Sequence, residues 1–360
     1  MSAAPRILFV PVSGPGGAGE YFRCLAFARA AGRRWPGASI SFVMSRAAPQ
    51  VSQVPYPVHL VDRSPTRETA AVARILAEVR PDVVVFDSAG RVAQCRRARE
   101  LGARTVFVSS RPSTRRRGFA LRRLWALDQH WIVAPRFLGG TAGPLERLKL
   151  ALAPHCTAVF LEVIHEPVDE EGTRALEARL GIDRGRYVVV CPGGGGHATD
   201  GRDPSRVYLE AAARVGAATG LPVVAVLGSP AGGAHFGPGD SPAGVHVVDT
   251  LPNGVLMGLL HGAHVGIVNG GSLLVQSIAA SLPCVAAPIS DDQPGRIARC
   301  AAAGLVRAAP LDAAALADEA AALARPPERA ALAGRLAALS MANGLDVAVD
   351  SIGRLLAGPR

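Results

Sequence analysis

The sequence predicts an α/β protein built from two doubly wound domains, each with a parallel sheet. Short apolar runs that suit buried strands alternate with helical patterns, and the alternation restarts near residue 186. The length of 360 residues suits about two domains. A hydrophobic content of 49% is ample for two cores. We therefore expect an N-terminal domain over 1–170, a second domain over 171–345 and a last helix over 345–360.

The first half of the chain carries the alternation most clearly. We predict strands at 7–12, 39–44, 58–61, 83–86, 105–108 and 130–133. Helical patterns occupy 20–33, 66–79 and 91–101. The periodicity weakens over 135–185, where proline, glycine and a charged run interrupt it. We place the linker between the domains at 166–186.

The second half repeats the pattern after the linker. Strands are predicted at 187–191, 223–227, 245–248, 265–268 and 285–287. Asp203-Pro204 suits a helix start, with Asp as N-cap and Pro in the first turn, and this helix runs to about residue 219. Three further helices, at 312–323, 327–339 and 345–356, close the chain.

One segment, 264–293, combines a strand, a glycine turn, a helix and a second strand. The turn reads Asn269-Gly270-Gly271-Ser272, and a second polar turn over 290–293 follows the next strand. Paired glycines let a backbone approach a ligand closely, and the free N–H groups of a helix start attract an anion. Both turns lie at the carboxyl ends of neighbouring strands, where open α/β sheets bind ligands. A tight turn without a ligand is the alternative.

This segment resembles the donor-binding region of GT-B nucleotide-sugar glycosyltransferases over roughly residues 186–310. The matching residues are Pro252-Asn253, Asn269-Gly270-Gly271-Ser272, Ser281-Leu282-Pro283, Pro288 and Asp292-Gln293. The resemblance implies the GT-B fold, in which two Rossmann-like domains face each other across a cleft. It also implies a nucleotide sugar bound by the second domain and a last helix that crosses back to the first.

A second resemblance lies in the turn after the first strand, over residues 13–25. The nucleotide-sugar hydrolase of pseudaminic acid synthesis has a G-x-G-H-x-x-R-C-L pattern there, and the lipid II N-acetylglucosaminyltransferase family has comparable glycines. Here Arg23-Cys24-Leu25 follows the pattern, but Glu20 stands where the hydrolase has a histidine implicated in activating water. The resemblance implies that Gly16, Gly17 and Gly19 lie on the acceptor side.

Two carboxylates are candidates for a catalytic base. Glu20 lies near the acceptor turn, although an acidic residue in a first helical turn also favours the helix dipole. Asp87 follows the strand at 83–86, where catalytic groups gather, but it could simply cap the next helix. Either would have to accept a proton from an acceptor hydroxyl near neutral pH, which requires burial to raise its pKa.

Donor-binding candidates fall into two sets. The glycine-rich turn after the strand at 187–191 supplies four of them, Gly193, Gly194, Gly195 and His197. The resemblance supplies the rest: a base-cradling wall, the glycine turn, a ribose-binding position and two sugar-binding residues, namely Leu251, Pro252, Asn269, Gly270, Gly271, Ser272, Gln276, Asp292 and Gln293. Gln276 stands where the lipid II enzyme has a glutamate. We interpret His261 and His264 as structural.

The net charge of +10 comes almost entirely from arginine, since Lys149 is the only lysine. Arginines concentrate at 111–123, beside Phe119, Leu121, Leu124 and Trp125. No nucleic-acid-binding motif is present. This surface suits an anionic or lipid-linked acceptor, with Arg111 and Arg115 on the acceptor side, or an acidic membrane face. A solvated helix face is the alternative.

The remaining features suggest a cytoplasmic enzyme, at most peripheral to the inner face of a membrane. The six cysteines are scattered, which favours reduced thiols and no zinc site. No run of ~18 apolar residues predicts a membrane span, and the N-terminal apolar run is interpreted as a first strand instead of a signal peptide. We therefore predict a metal-independent, inverting glycosyltransferase that uses a UDP- or dTDP-sugar, without a cofactor. A nucleotide-sugar hydrolase and a non-catalytic nucleotide-sugar-binding subunit are the alternatives.

Overall fold

A computed structural model describes residues 4–14, 19–193, 204–228 and 241–358, which form two compact units. Unit 1 comprises Met1–Ile164 together with Ala342–Arg360, and unit 2 comprises His165–Met341. The division between the units lies at Ile164, where the sequence suggested residue 170. The C-terminal segment belongs to unit 1.

Unit 1 is built on a seven-stranded parallel sheet with strand order β3-β2-β1-β4-β5-β6-β7. Its elements up to the division are β1 (Arg6–Pro11), α1 (Gly19–Arg34), β2 (Ser39–Ser45), β3 (Val58–Val61), α2 (Thr69–Val79), β4 (Val83–Asp87), α3 (Val92–Glu100), β5 (Arg104–Ser109), α4 (Pro112–Gly118), α5 (Leu121–Leu124), β6 (Gln129–Val133), α6 (Pro144–Ala151) and β7 (Thr157–Leu161). All six strands predicted for the first half are present.

Unit 2 has a six-stranded parallel sheet with order β10-β9-β8-β11-β12-β13. Its elements are α7 (Glu170–Leu180), β8 (Val188–Cys191), α8 (Pro204–Thr219), β9 (Val223–Val226), β10 (Val245–Val248), α9 (Asn253–Gly262), β11 (Val265–Asn269), α10 (Ser272–Ala279), β12 (Cys284–Ala287), α11 (Pro294–Ala302), β13 (Arg307–Ala308), α12 (Ala313–Leu323) and α13 (Pro326–Ala337). In both sheets the order reverses beside the first strand of the unit, as in doubly wound folds.

The segment predicted as a linker, 166–186, contains helix α7 instead. Asp169 caps this helix by accepting a hydrogen bond from the backbone N–H of Gly172, 2.9 Å away. The helix packs on α9, where Gly258 leaves room for the side chain of Thr173. The charged run at its start hid this helix, because acidic residues in a first turn favour the dipole but add no apolar period.

Both faces of the unit 1 sheet are covered. Ile7 and Phe9 of β1 belong to the core on one face, whereas Leu8 and Val10 belong to the core on the other. Strands buried on both faces lose the polar alternation of a half-exposed strand, which is why residues 7–10 of β1 are all apolar.

The last helix, α14 (Gly344–Ala357), completes the first of these cores. It packs on α1 and β7, and its residues Leu345, Ala348 and Ile352 are buried with β1. The backbone N–H of Gly344 donates to the carbonyl of Val163 at 2.7 Å, which fixes the point where the chain re-enters unit 1.

Three further features concern the cysteines, the lengths of the helices and possible metal ligands. All six cysteines are buried and unpaired. Within the described ranges, no helix is both long and apolar enough to cross a bilayer. Among the same residues, no three His, Cys, Asp or Glu side chains are grouped as metal ligands.

Candidate functional site

The carboxyl ends of three adjacent strands carry the turns that the sequence assigned to donor binding. Strand β11 lies between β8 and β12, with Val268 paired to Cys191 and Asn269 paired to Ala287. Gly193, the turn at 269–272 and the turn at 290–293 therefore lie along one edge of the unit 2 sheet. The prediction that the two polar turns lie side by side is confirmed.

Asn269 joins two of these turns. Its Nδ2 donates to the carbonyl of Pro192 at 2.5 Å, and its Oδ1 accepts from the N–H of Gly271 at 2.7 Å. Gly193 has φ +94°, and a Cβ at this position would overlap the Asn269 amide. Gly193 is thus required both for its left-handed backbone and for the close approach of Asn269.

Gln293 joins the other pair of turns. Its Oε1 accepts from the N–H groups of Gly270 at 3.1 Å and Ile289 at 2.9 Å. A Cβ on Gly270 would lie 2.6 Å from Ile297 Cδ1 and 2.9 Å from Gln293 Cβ, so only glycine fits there. Nε2 of this buried residue has no hydrogen-bond partner among the described residues. One end of the Gln293 amide holds the turn, and the other can donate to a ligand.

The start of α10 lacks a side-chain cap in the part of the chain that the structure describes. The N–H groups of Gly270 and Gly271 are already bound to side-chain oxygens, but no side chain caps the helix at Gly271. The first N–H groups of a helix have no partner inside it and carry the positive end of the dipole. Ser272, the first helical residue, is exposed and places its own N–H and hydroxyl at this end.

The other donor-site candidates vary in exposure. Asp292 is exposed and accepts a hydrogen bond from the Ser290 hydroxyl at 2.8 Å. Leu251 and Gln276 are half-buried, and Pro252 is the exposed residue before α9. Gly194, Gly195 and His197 lie outside the described residues. His264 contacts two backbone carbonyls, of Gly185 and Ala324, each at 3.1 Å, in keeping with a structural role.

In unit 1, the structure brings Glu20, a candidate base, close to Arg111, which was predicted on the acceptor side. Glu20 is the second residue of α1 and is 9% exposed, and its Oε1 lies 3.7 Å from Arg111 Nη2. Gly19 begins this helix with open space at its Cβ position. Gly16 and Gly17 lie outside the described residues. A carboxylate with limited exposure, 3.7 Å from the guanidinium of Arg111, thus lies in the first turn of α1.

Asp87, the second candidate base, is fully buried and bound by Arg23. Arg23 Nε donates to Oδ2 and Nη2 donates to Oδ1, both at 2.7 Å. Burial raises the pKa of the Asp87 carboxyl to about 6, and the Arg23 guanidinium opposes this rise. The next residue, Ser88, has a left-handed backbone with φ +55°, an unusual conformation for a residue with a side chain.

Arg115 is also bound by partners within unit 1. Its guanidinium forms a bidentate pair with Glu146, at 2.8 and 2.7 Å, and donates to the carbonyls of Gly139 and Thr141. These contacts hold α4 against the segment that leads into α6. Arg111, with half of its side chain exposed, is the more accessible of the two arginines predicted on the acceptor side.

No family model and no curated protein matches this chain. Solved structures do match. The chain superposes on CalG4, the calicheamicin glycosyltransferase, with a TM-score of 0.62 and 16% identity, covering 99% of this chain and 100% of that one. The fold is the GT-B fold. Two more matches are LpCGTa in complex with UDP (TM-score 0.62, 13% identity, 99% and 100% covered) and a putative UDP-N-acetylglucosamine 2-epimerase from Listeria monocytogenes (TM-score 0.60, 12% identity, 97% and 95% covered).

The GT-B fold that the resemblance implied is therefore confirmed. At these identities the likeness concerns the fold, which both transferases and an epimerase share. The chemistry of this chain has to be argued from its own residues.

Proposed function

We propose that this protein is an inverting glycosyltransferase that takes a sugar from a UDP- or dTDP-sugar and transfers it to a hydroxyl group. The observation that carries this proposal is the arrangement at the carboxyl ends of β11 and β12. An uncapped helix start lies beside the free Nε2 donor of Gln293 and the exposed carboxylate of Asp292. These groups suit a diphosphate and the hydroxyls of an attached sugar.

In the proposed reaction, Glu20 accepts the proton of the acceptor hydroxyl. The acceptor oxygen forms a bond to the anomeric carbon from the face opposite the nucleotide, so the configuration inverts. The bond between that carbon and the phosphate oxygen breaks, and the nucleoside diphosphate leaves with the electron pair. The N–H groups at the start of α10 would stabilise the negative charge that develops on the diphosphate.

The structure favours Glu20 over Asp87 as the base. Both oxygens of Asp87 already accept hydrogen bonds from Arg23, and the side chain has no exposure. A base must come within hydrogen-bonding reach of the substrate. Glu20 is 9% exposed, whereas Asp87 has no exposure, and the contact of Glu20 with Arg111 is a longer one, at 3.7 Å. Asp87 then holds Arg23 and the end of β4 in place.

The experiment compares donor turnover with and without candidate acceptors for wild type, Glu20→Gln and Asp87→Asn. We expect slow release of nucleotide from donor alone and strong stimulation by the true acceptor, because bound acceptor replaces poorly placed water. Glu20→Gln should reduce transfer by ~10²-fold or more and leave the donor Kd unchanged. Full activity of Glu20→Gln together with inactive, folded Asp87→Asn would reverse the assignment of the base.

The same assay separates the other activities. Rapid release of nucleotide from donor alone would identify a hydrolase, and an altered sugar still attached to its nucleotide would identify an epimerase. Tight donor binding without any turnover would identify a binding subunit.

We also propose that transfer needs no divalent metal, because the helix start at α10 and protein donors stabilise the leaving group instead. Turnover should persist in excess chelator. Loss of activity in chelator that magnesium or manganese restores would contradict this proposal.

We also propose that the protein binds peripherally to an acidic membrane surface. Trp125 and three leucines of the α6 segment, Leu145, Leu148 and Leu152, each expose more than half of their surface. The Trp125 ring lies 4.9 Å from that of His155, which brings α5 beside the end of α6, and exposed Arg122 lies on α5. Apolar side chains with nearby cations suit an anionic bilayer surface.

The test is co-sedimentation with phosphatidylglycerol vesicles. Leu148→Ser with Leu152→Ser should weaken the binding, and unchanged binding would show that this surface is not the membrane contact.

A further inference from the structure

Unit 1 contains a cavity of about 340 Å³ whose wall is unusually cationic. It lies beside the segments that follow β3 and β4, together with α4 and α5. Four of its eight lining residues are arginines, and none is acidic: Thr66, Gly90, Arg91, Val92, Arg117, Ala120, Arg122 and Arg123. Neither Glu20 nor the donor-site residues contribute to it.

The four arginines have no carboxylate partner within 4 Å in the part of the chain that the structure describes. Three of them are oriented by neutral backbone carbonyls instead. Arg91 donates to Thr66 at 3.1 Å, Arg117 to Ser88 at 2.8 Å and Arg123 to Gly90 at 2.6 Å. These hydrogen bonds fix the guanidinium groups without neutralising their charge.

The arginines also repel one another. Burial lowers the pKa of Arg117, and the charge of Arg91 lowers it further. Burial likewise lowers the pKa of Arg123, and the charges of Arg117, Arg122 and Arg91 add to the effect. Arg123 is buried whereas Arg91, Arg117 and Arg122 are exposed, and a bound anion would relieve the repulsion among these like charges.

Thr66 is the one lining residue with a neutral polar side chain. Its Oγ1 is buried without a hydrogen-bond partner among the described residues. A buried hydroxyl without a partner is uncommon, because it loses the hydrogen bonds that water would provide.

We propose that this cavity binds a phosphate or diphosphate group. Arginines from three segments line one cavity beside Thr66, and several guanidinium groups suit the oxygens of a phosphate better than the two oxygens of a carboxylate. The volume exceeds that of a single phosphate and falls in the range of small-molecule sites, so the phosphate belongs to a larger molecule. The inference does not depend on sugar transfer, because the cavity lies wholly in unit 1.

The test is calorimetric titration with pyrophosphate. To remove binding at the helix start of α10, the titration uses protein carrying Gly271→Val, and the same substitution is present in every variant. Arg117→Gln with Arg122→Gln should weaken binding at least tenfold, which corresponds to about 1.4 kcal/mol. The matched control is Arg116→Gln, a substitution of the exposed neighbour on α4 that lies outside the cavity wall, and it should change the Kd less than twofold. Thr66→Val should weaken binding severalfold without disturbing an arginine.

A lipid head group and a soluble phosphorylated molecule share this chemistry, and vesicles separate them. If the ligand is a lipid, wild type should prefer phosphatidic acid to phosphatidylglycerol, and Arg117→Gln with Arg122→Gln should abolish the preference. Pyrophosphate binding without that preference indicates a soluble ligand. No binding of pyrophosphate at millimolar concentration, or equal weakening by Arg116→Gln, would overturn the proposal.

Discussion

Arg23 and Asp87 form a bidentate ion pair inside unit 1, with both hydrogen bonds at 2.7 Å and the carboxylate fully buried. The pair connects the first turns of α1 to the end of β4, two elements that flank the turn after β1. It supports the position of Glu20, three residues before Arg23 on the same helix.

Breaking this pair should destabilise unit 1. Arg23→Leu leaves a buried carboxylate without its partner, and such a change costs about 3 to 5 kcal/mol. Arg23→Leu with Asp87→Leu should cost less than Arg23→Leu alone, because no uncompensated charge remains. Urea unfolding measures both. Arg214→Gln, which removes the exposed pair with Glu210, is the control and should cost under about 1 kcal/mol. A similarly small loss for Arg23→Leu would contradict this account.

Gly271→Val should weaken UDP or dTDP binding at least tenfold, or about 1.4 kcal/mol. A Cβ at Gly271 would lie 2.8 Å from Asn269 Oδ1, which accepts the Gly271 N–H, so the turn would shift and a β-branched side chain would block the helix start. Calorimetry with the nucleotide gives the Kd. Gly334→Val on α13, where a Cβ meets nothing within 4 Å, is the matched control. An unchanged Kd in Gly271→Val would place the diphosphate elsewhere.

Gln293 should contribute to stability through its Oε1 and to donor affinity through its Nε2. Gln293→Glu keeps an oxygen for the N–H groups of Gly270 and Ile289 but loses Nε2, so the midpoint of unfolding should change little while donor sugar affinity falls. Gln293→Ala removes the oxygen that accepts from the buried N–H groups of Gly270 and Ile289 and should cost about 2 kcal/mol or more. Comparing UDP with the UDP-sugar tests the assignment, since Gln293→Glu should weaken the UDP-sugar more than UDP. Equal weakening of both would argue against a contact between Nε2 and the sugar.

His130 should make stability depend on pH. Its ring packs edge-on against Phe119, its Nε2 lies 2.8 Å from the Ser109 hydroxyl, and burial lowers its pKa from 6.5 to about 3. Between these values the unfolded chain binds a proton that the folded chain excludes, so stability falls as the pH decreases below about 6.5. At pH 5 the loss should be about 2 kcal/mol relative to neutral pH.

Other groups also titrate between pH 5 and pH 7.5, so the contribution of His130 is measured by comparing the pH dependence of stability between variants. Unfolding free energies at pH 7.5 and pH 5 should differ by about 2 kcal/mol less in His130→Gln than in wild type. His155→Gln, at an exposed site, should retain the wild-type difference. If His130→Gln also retains it, His130 is not the group responsible.

The sequence was most informative where local pattern and tertiary environment agree. The turn at 269–272 follows an apolar strand and opens a helix, so both its structure and its position at the sheet edge could be predicted. Helices α4 to α6 were missed because their segments mix arginine, leucine and proline without a clean period. Strand β7 was also missed, although its sequence, TAVFL, is mostly apolar. Their structure depends on packing against unit 1.

The roles of individual side chains were harder to predict than the elements that carry them. Arg23 and Asp87 are 64 residues apart, and only the pairing of β1 with β4 brings them together. The sequence did contain a signal, an arginine on the apolar side of α1, which a buried partner would explain. Likewise Asn269 and Gln293 matched a donor-site pattern, but their contacts with backbone groups of neighbouring turns follow from strand order alone.

The return of the chain at Gly344 makes unit 2 an insertion within unit 1. The chain leaves near Ile164 and re-enters beside Val163, which forms an isolated parallel bridge with Asn343. A replacement of residues 165–341 by the corresponding part of another protein would therefore leave both termini and the complete core of unit 1 unchanged. A truncation before α14, in contrast, would remove a buried layer of the N-terminal half of the chain, and its first effect would be on the unit that carries Glu20.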